Sequence, residues 1–139
     1  MNIQRLIPLG FLAGGLVNIL GVLTFSAGFT SDGLARLQPA LFSDFGLVAI
    51  VLWGLAYMAV SRRYAAVPWL VAVFAVEKLA YGIAWLSWMS AHGGELGALF
   101  GQQPLSATFM LIYGPNDWAF CLFFAWVFLV IRRGRVQPG

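Results

Sequence analysis

Between Arg5 and Asp32 the chain carries no charged side chain, and nearly every residue there is apolar or small. A helix crosses a bilayer with about 20 such residues, within a tolerated range of roughly 17–25. Comparable runs lie between Asp44 and Arg62, and from Tyr64 to about Ser90 with only Glu77 and Lys78 interrupting. A last run, "NDWAFCLFFAWVFLVI", stops at Arg132. The runs are continuously apolar and do not alternate with period two, which excludes a membrane β-barrel. Of the 139 residues 61% are hydrophobic, against roughly 45–50% apolar in soluble domains. So much apolar surface has no place to hide in a chain of this size. The expected fold is all-α: an integral-membrane four-helix bundle forming one domain over residues 1–139, with spans at about 6–29, 44–61, 64–90 and 115–132.

Lys and Arg gather on the cytoplasmic side of membrane proteins. Arg5 precedes the first span, Arg62 and Arg63 separate the second and third, and Arg132, Arg133 and Arg135 follow the fourth. Arg36 alone falls on the other side. Both termini should therefore face the cytoplasm, and the longer loops, 30–43 and 91–116, should face outward. The first span resembles a signal peptide, but its apolar core exceeds the usual 7–15 residues, so we read it as retained. The net charge of +3 does not indicate nucleic-acid binding, because the arginines sit at span ends and are not interleaved with aromatics on a polar face. The lone Cys121 cannot form an internal disulfide.

The chain also matches itself. Ten residues after Pro8 and Pro68 stand Asn18 and Lys78. Nine residues after Asp44 and Asp117 stand Trp53 and Trp126, and each of those spans runs into a double arginine. Each preceding loop contains Gln-Pro, at Gln38–Pro39 and Gln103–Pro104. Two helical hairpins related by an axis along the membrane normal would follow, as in transporters built from parallel repeats.

Glu77 and Lys78 are the residues that call for an explanation. They lie about midway along the third run, near mid-bilayer, where each charge costs about 2.5–3.5 kcal/mol on insertion scales. Adjacent helical residues project about 100° apart, so the two cannot neutralise one another and must seek partners on different helices. Tyr81 and Trp85 share a face with Glu77. A carboxyl among aromatics in lipid should be protonated or hydrogen-bonded. Two readings stay open for this pair, a polar clasp that fixes helix register and a functional site. Asn18, at the matching height in span one, is a candidate partner for Glu77.

Asp44 and Asp117 head spans two and four. Ser43 and Asn116 would cap those helices, and an acid in the first turn complements the helix dipole. Trp118 to Ile131 covers only fourteen residues, ~21 Å at the standard rise against a hydrocarbon core of ~30 Å. That mismatch should draw Asp117 below the outer surface, with Asp44 similarly placed. Asp44, Asp117, Lys78 and Glu77, with Asn18, Tyr81 and Trp85 beside them, would then form an outward-facing, ligand-binding polar pocket. Gly10 and Gly14 have the GxxxG spacing of close-packing helices and could serve a homo- or hetero-oligomer. The segment 96–114 is too apolar to float in water; it should lie on the outer leaflet or cover the bundle as short helices broken by Pro104. His92 and Glu95 lack the further ligands a zinc site needs, so no metal and no cofactor is expected.

Length, four spans and lightly polar helices together resemble small bacterial inner-membrane proteins of the DoxX-like kind. The resemblance covers the layout, implies a multi-pass protein of the inner (plasma) membrane, and carries no residue across. Absent cysteine pairs exclude membrane disulfide oxidoreductases, and the absence of a glutamate in the first span sets small multidrug exporters aside. Three functions compete. The first is a module that binds or transports a small amphipathic molecule, or relays protons, through the pocket. The second is an accessory subunit assembled through the glycine stripe. The third is an enzyme acting on a lipid or quinone with Glu77 as acid or base, which no nucleophile–base constellation supports.

Overall fold

Helix signals dominate from end to end. The computed structural model describes residues 3–134 and 136. Among them the chain forms α1 (Ile3–Phe25), α2 (Gly33–Leu37), α3 (Pro39–Phe42), α4 (Asp44–Val60), α5 (Pro68–His92), α6 (Leu96–Gln102) and α7 (Pro104–Arg132), with no strand. Short 3-10 turns at Tyr64–Ala66 and Gly93–Glu95 link α4 to α5 and α5 to α6. Three stretches are long and apolar enough to cross a membrane: α1, Pro68–Gln102 and α7. α4 is apolar but shorter, at 17 residues. Leu9, Leu16, Leu20, Leu52, Val76 and Leu122 all point away from the core. A coat this apolar suits lipid, and three stretches long and apolar enough to cross a membrane suggest a multi-pass membrane protein.

Several boundaries depart from the sequence reading. The first helix stops at Phe25, where Ala27, Gly28 and Phe29 all take positive φ and turn the chain out of the helix. The expected loop 30–43 contains α2 and α3. The third helix starts at Pro68, in the first turn where a missing N–H costs nothing.

The largest correction concerns the fourth helix, which begins at Pro104 and not near Pro115. Gln103 is extended (φ −140°, ψ 71°), and Pro104 then pre-sets the first helical turn. Pro115 lies inside α7, where its ring withholds one donor from the carbonyl of Leu111. That interior position costs ~3 kcal/mol or more in isolation, yet the helix continues through it, with Leu111 and Pro115 both on the exposed side. α7 therefore has 29 residues, ~43 Å at the standard rise. Asp117 is deep because it sits halfway along a long helix, not because a short one pulls it inward.

α5 packs along α7 and α1 along α4. α1 approaches α4 so closely that a Cβ on Gly15 would lie 2.5 Å from the Gly54 carbonyl oxygen. α1 and α7 run antiparallel: Gly10 meets the Phe123 ring, Gly14 meets Phe120, and Phe25 meets Phe109 with centroids 5.3 Å apart. The glycine stripe, which the sequence offers as a close-packing face or as a seat for a partner chain, accommodates the phenylalanines of α7 in the same chain. Two apolar clusters fill the interior. One, around Phe11, Tyr57, Phe74 and Phe124, lies toward the arginine-bearing ends. The other, around Val22, Phe42, Leu47, Met110 and Tyr113, lies beneath α2 and α3. Arg132 stacks over Trp69 at 5.7 Å, which brings the end of α7 to the start of α5. Arg135 lies outside the described residues.

Candidate functional site

Between the two apolar clusters the interior turns polar. α5 presents Glu77 and Lys78 on successive positions, and the 100° step between them sends each to a different helix. The Lys78 ammonium donates to Asp117 Oδ1 of α7 at 2.7 Å and to Asn18 Oδ1 of α1 at 3.0 Å. It also lies 5.6 Å from the centroid of the Tyr57 ring. Asn18 in turn donates from Nδ2 to the Ile50 carbonyl of α4 at 3.2 Å. Glu77 turns the other way and accepts through Oε2 from the Tyr57 hydroxyl of α4. Lys78 (2% exposed), Asp117 (6%) and Glu77 (8%) are all buried. One short stretch of α5 therefore ties together all the long helices. Glu77 Oε1 is buried and has no hydrogen-bond partner among the described residues.

Asn18, Glu77, Lys78 and Asp117 line a cavity of about 310 Å³, within the range of roughly 300–1,000 Å³ usual for small-molecule sites. Apart from Asn116, the rest of its wall is apolar and aromatic, with Phe25, Phe42, Tyr81, Phe109 and Tyr113 the principal rings. The α2–α3 end is closed. Phe42 packs edge-on against Phe109 (4.9 Å) and Tyr113 (5.2 Å). Tyr113 donates to Gln38 Oε1 at 2.7 Å, and Gln38 Nε2 reaches the Ala84 carbonyl at 3.4 Å. The Trp88 indole donates to the Leu37 carbonyl at 3.2 Å, which holds α2 down on α5.

The mouth is lateral. The exposed lining residues are Val17 of α1 (44%) and Ile112 of α7 (45%), which flank the seam between those helices. Gly21 and Asn116 lie on the same seam, and a Cβ added at Gly21 would meet nothing within 4 Å. The seam is shut on one side of this window by Phe120 and Phe123 against Gly14 and Gly10. On the other side the Phe25–Phe109 ring contact shuts it. A cavity reached sideways differs from the outward-facing pocket that the sequence suggested.

Of the expected site residues, Asn18, Glu77, Lys78, Tyr81 and Asp117 share the cavity wall. Asn18 partners Lys78, not Glu77. Asp44 does not join them: it is exposed in the first turn of α4, where Ser43 Oγ accepts from the Gly46 N–H at 3.3 Å as an N-cap. Asn116 caps no helix, since α7 starts at Pro104. Trp85 packs behind the wall against Gly114 and donates to the Met110 carbonyl at 2.7 Å. Trp118 faces Gly82. Sequence reasoning missed Tyr57, whose hydroxyl is a lone polar tip in the otherwise apolar turn "GLAYMAV". Among the described residues, no three His, Cys, Asp or Glu side chains converge where a metal ion could sit. Comparison with family models, with curated proteins and with solved structures returns no match, so any functional reading rests on this geometry.

Proposed function

We propose that the protein is a four-helix bundle of the inner membrane, with both termini cytoplasmic, that binds a small amphipathic molecule in its mid-bundle cavity. The observation that carries this reading is a cavity of about 310 Å³ with a mainly apolar and aromatic wall, on which Asn18, Glu77, Lys78, Asn116 and Asp117 are the amide and charged residues. Few polar groups placed in an apolar concavity are the usual composition of a ligand site. Intramembrane ionisable residues are costly and mark functional sites by default. The apolar part of the ligand lies against Phe25, Phe42 and Phe109, and its polar end meets the α5 residues. The lateral mouth supports entry from the bilayer, where an amphipathic molecule is already concentrated.

The two-hairpin organisation belongs to the same proposal. α1 pairs with α4 and α5 with α7. The two Gln-Pro joints share one backbone conformation, with Gln38 at φ −146°, ψ 75° and Gln103 at φ −140°, ψ 71°. Each glutamine N–H bonds back four residues, to Leu34 and Leu99. The accessory-subunit reading loses its feature, because Gly10 and Gly14 are occupied by α7.

Native mass spectrometry of the gently extracted protein tests the proposal. The expected result is a bound small-molecule mass that disappears when Gly21→Leu fills the mouth. A bare wild-type chain, or an adduct unchanged in Gly21→Leu, overturns it.

A further inference from the structure

We propose that the cavity is selective for a lipophilic cation, a quaternary or protonated amine of modest size, with Glu77 as its counter-charge. This rests on the ligand-binding reading above and adds the chemistry of the ligand's polar end. Two carboxyl groups, Glu77 and Asp117, stand on the wall against a single ammonium, Lys78, and no other charged side chain lines the cavity. Lys78 is already engaged by Asp117 and Asn18, so Glu77 is the acid left over. Glu77 is a lining residue; its Oε2 is held by Tyr57, while its Oε1 is buried without a hydrogen-bond partner among the described residues. A buried polar oxygen in that state costs free energy until something positive or hydrogen-donating meets it.

The remainder of the wall suits a cation better than any other polar ligand. Phe25, Phe42, Tyr81, Phe109 and Tyr113 surround the space, and ring faces attract ammonium groups, the more so when desolvated. An anion would meet an unbalanced carboxyl and a lysine already satisfied. The route in is also that of a lipophilic species. Val17 and Ile112 frame the mouth, and Leu16, Leu20 and Leu111 carry the apolar surface beyond it.

The test uses the full-length protein in detergent and a matched pair of probes. These are benzyltrimethylammonium and its neutral carbon isostere neopentylbenzene, titrated against wild type, Glu77→Gln and Gly21→Leu with tryptophan emission as readout. Comparing variants with one probe at a time cancels partition of that probe into micelles. Glu77→Gln is expected to weaken the cation roughly tenfold or more, about 1.4 kcal/mol, and to leave the neutral probe within about twofold. Gly21→Leu is expected to abolish both, and it removes no polar or charged group, so it separates loss of the site from loss of the charge. Equal effects of Glu77→Gln on both probes, or none on the cation, overturn the cation proposal while leaving the ligand-binding reading intact. Failure of wild type to bind either probe overturns both.

Discussion

Replacing Lys78 with methionine keeps the length of the stem and removes the ammonium, leaving Asp117 as a buried carboxylate without its main partner. The ion pair is short, 2.7 Å between Nζ and Oδ1, and its two side chains are 3% and 8% exposed. At an effective dielectric of about 20 the mutual attraction is ~6 kcal/mol. Withdrawing both ions from water offsets most of that, so the pair as a whole adds little over a well-packed apolar one. Breaking it is a different matter, because the cost of burying the survivor is then uncompensated. Lys78→Met should lower stability by about 3–5 kcal/mol, with a further ~1 kcal/mol from the amide of Asn18 losing its donor. Asp117→Leu should cost a similar amount. The double variant should return to within about 2 kcal/mol of wild type, since an apolar pair replaces the ionic one. Unfolding in mixed micelles with rising SDS, followed through the emission of the six tryptophans, gives all four corners of the cycle. Additive costs, with the double variant as weak as the sum of the singles, would show that the two side chains do not meet and would refute the assignment of the polar core.

Tyr57→Phe removes the hydroxyl that Glu77 Oε2 accepts from; with neither carboxyl oxygen partnered, the same assay should register a loss of about 1–3 kcal/mol. Gly10→Val should destabilise the isolated chain by about 1–3 kcal/mol, because a Cβ there falls 2.3 Å from the Phe123 ring; an unchanged monomer that loses a partner would instead favour the accessory-subunit reading. Gly114→Ala should displace the Trp85 ring, whose nearest atom would lie 1.9 Å from the new methyl, and break the Trp85–Met110 hydrogen bond, seen as a shift in tryptophan emission with a comparable loss of stability. Asp44→Asn, by contrast, should change stability by no more than the ~0.3–1 kcal/mol of a first-turn dipole contact and leave ligand binding untouched, which the same emission titration checks.

How much of this was legible beforehand differs from one acid to the next. Asp44 and Asp117 carry nearly the same local signature, "SDF" and "NDW", each ahead of an apolar run. Ser43 does cap a helix, because α3 breaks after four residues and the chain restarts there. At Asn116 nothing breaks, since the residues before it, "SATFMLIYG", are themselves helical and a proline on the exposed side forfeits only one backbone bond. The same turn residues therefore mark a helix start in one place and a helix middle in the other. Tyr57 went unnoticed because a tyrosine in an apolar run has no local signal that separates a core ring from a hydrogen-bond donor.

The sequence by itself determined that the chain is helical, with uncharged apolar runs long enough to cross a membrane. It also determined that Glu77 and Lys78 must part company, since the 100° step of a helix is independent of what surrounds it. Only the tertiary structure decided that Lys78 meets Asp117 and Asn18, that Tyr57 meets Glu77, and that the cavity opens between α1 and α7. Those facts depend on the register of helices far apart in the chain, and register is set by the fit of glycines against phenylalanine rings across the bundle, a property of surfaces in contact and not of any one segment.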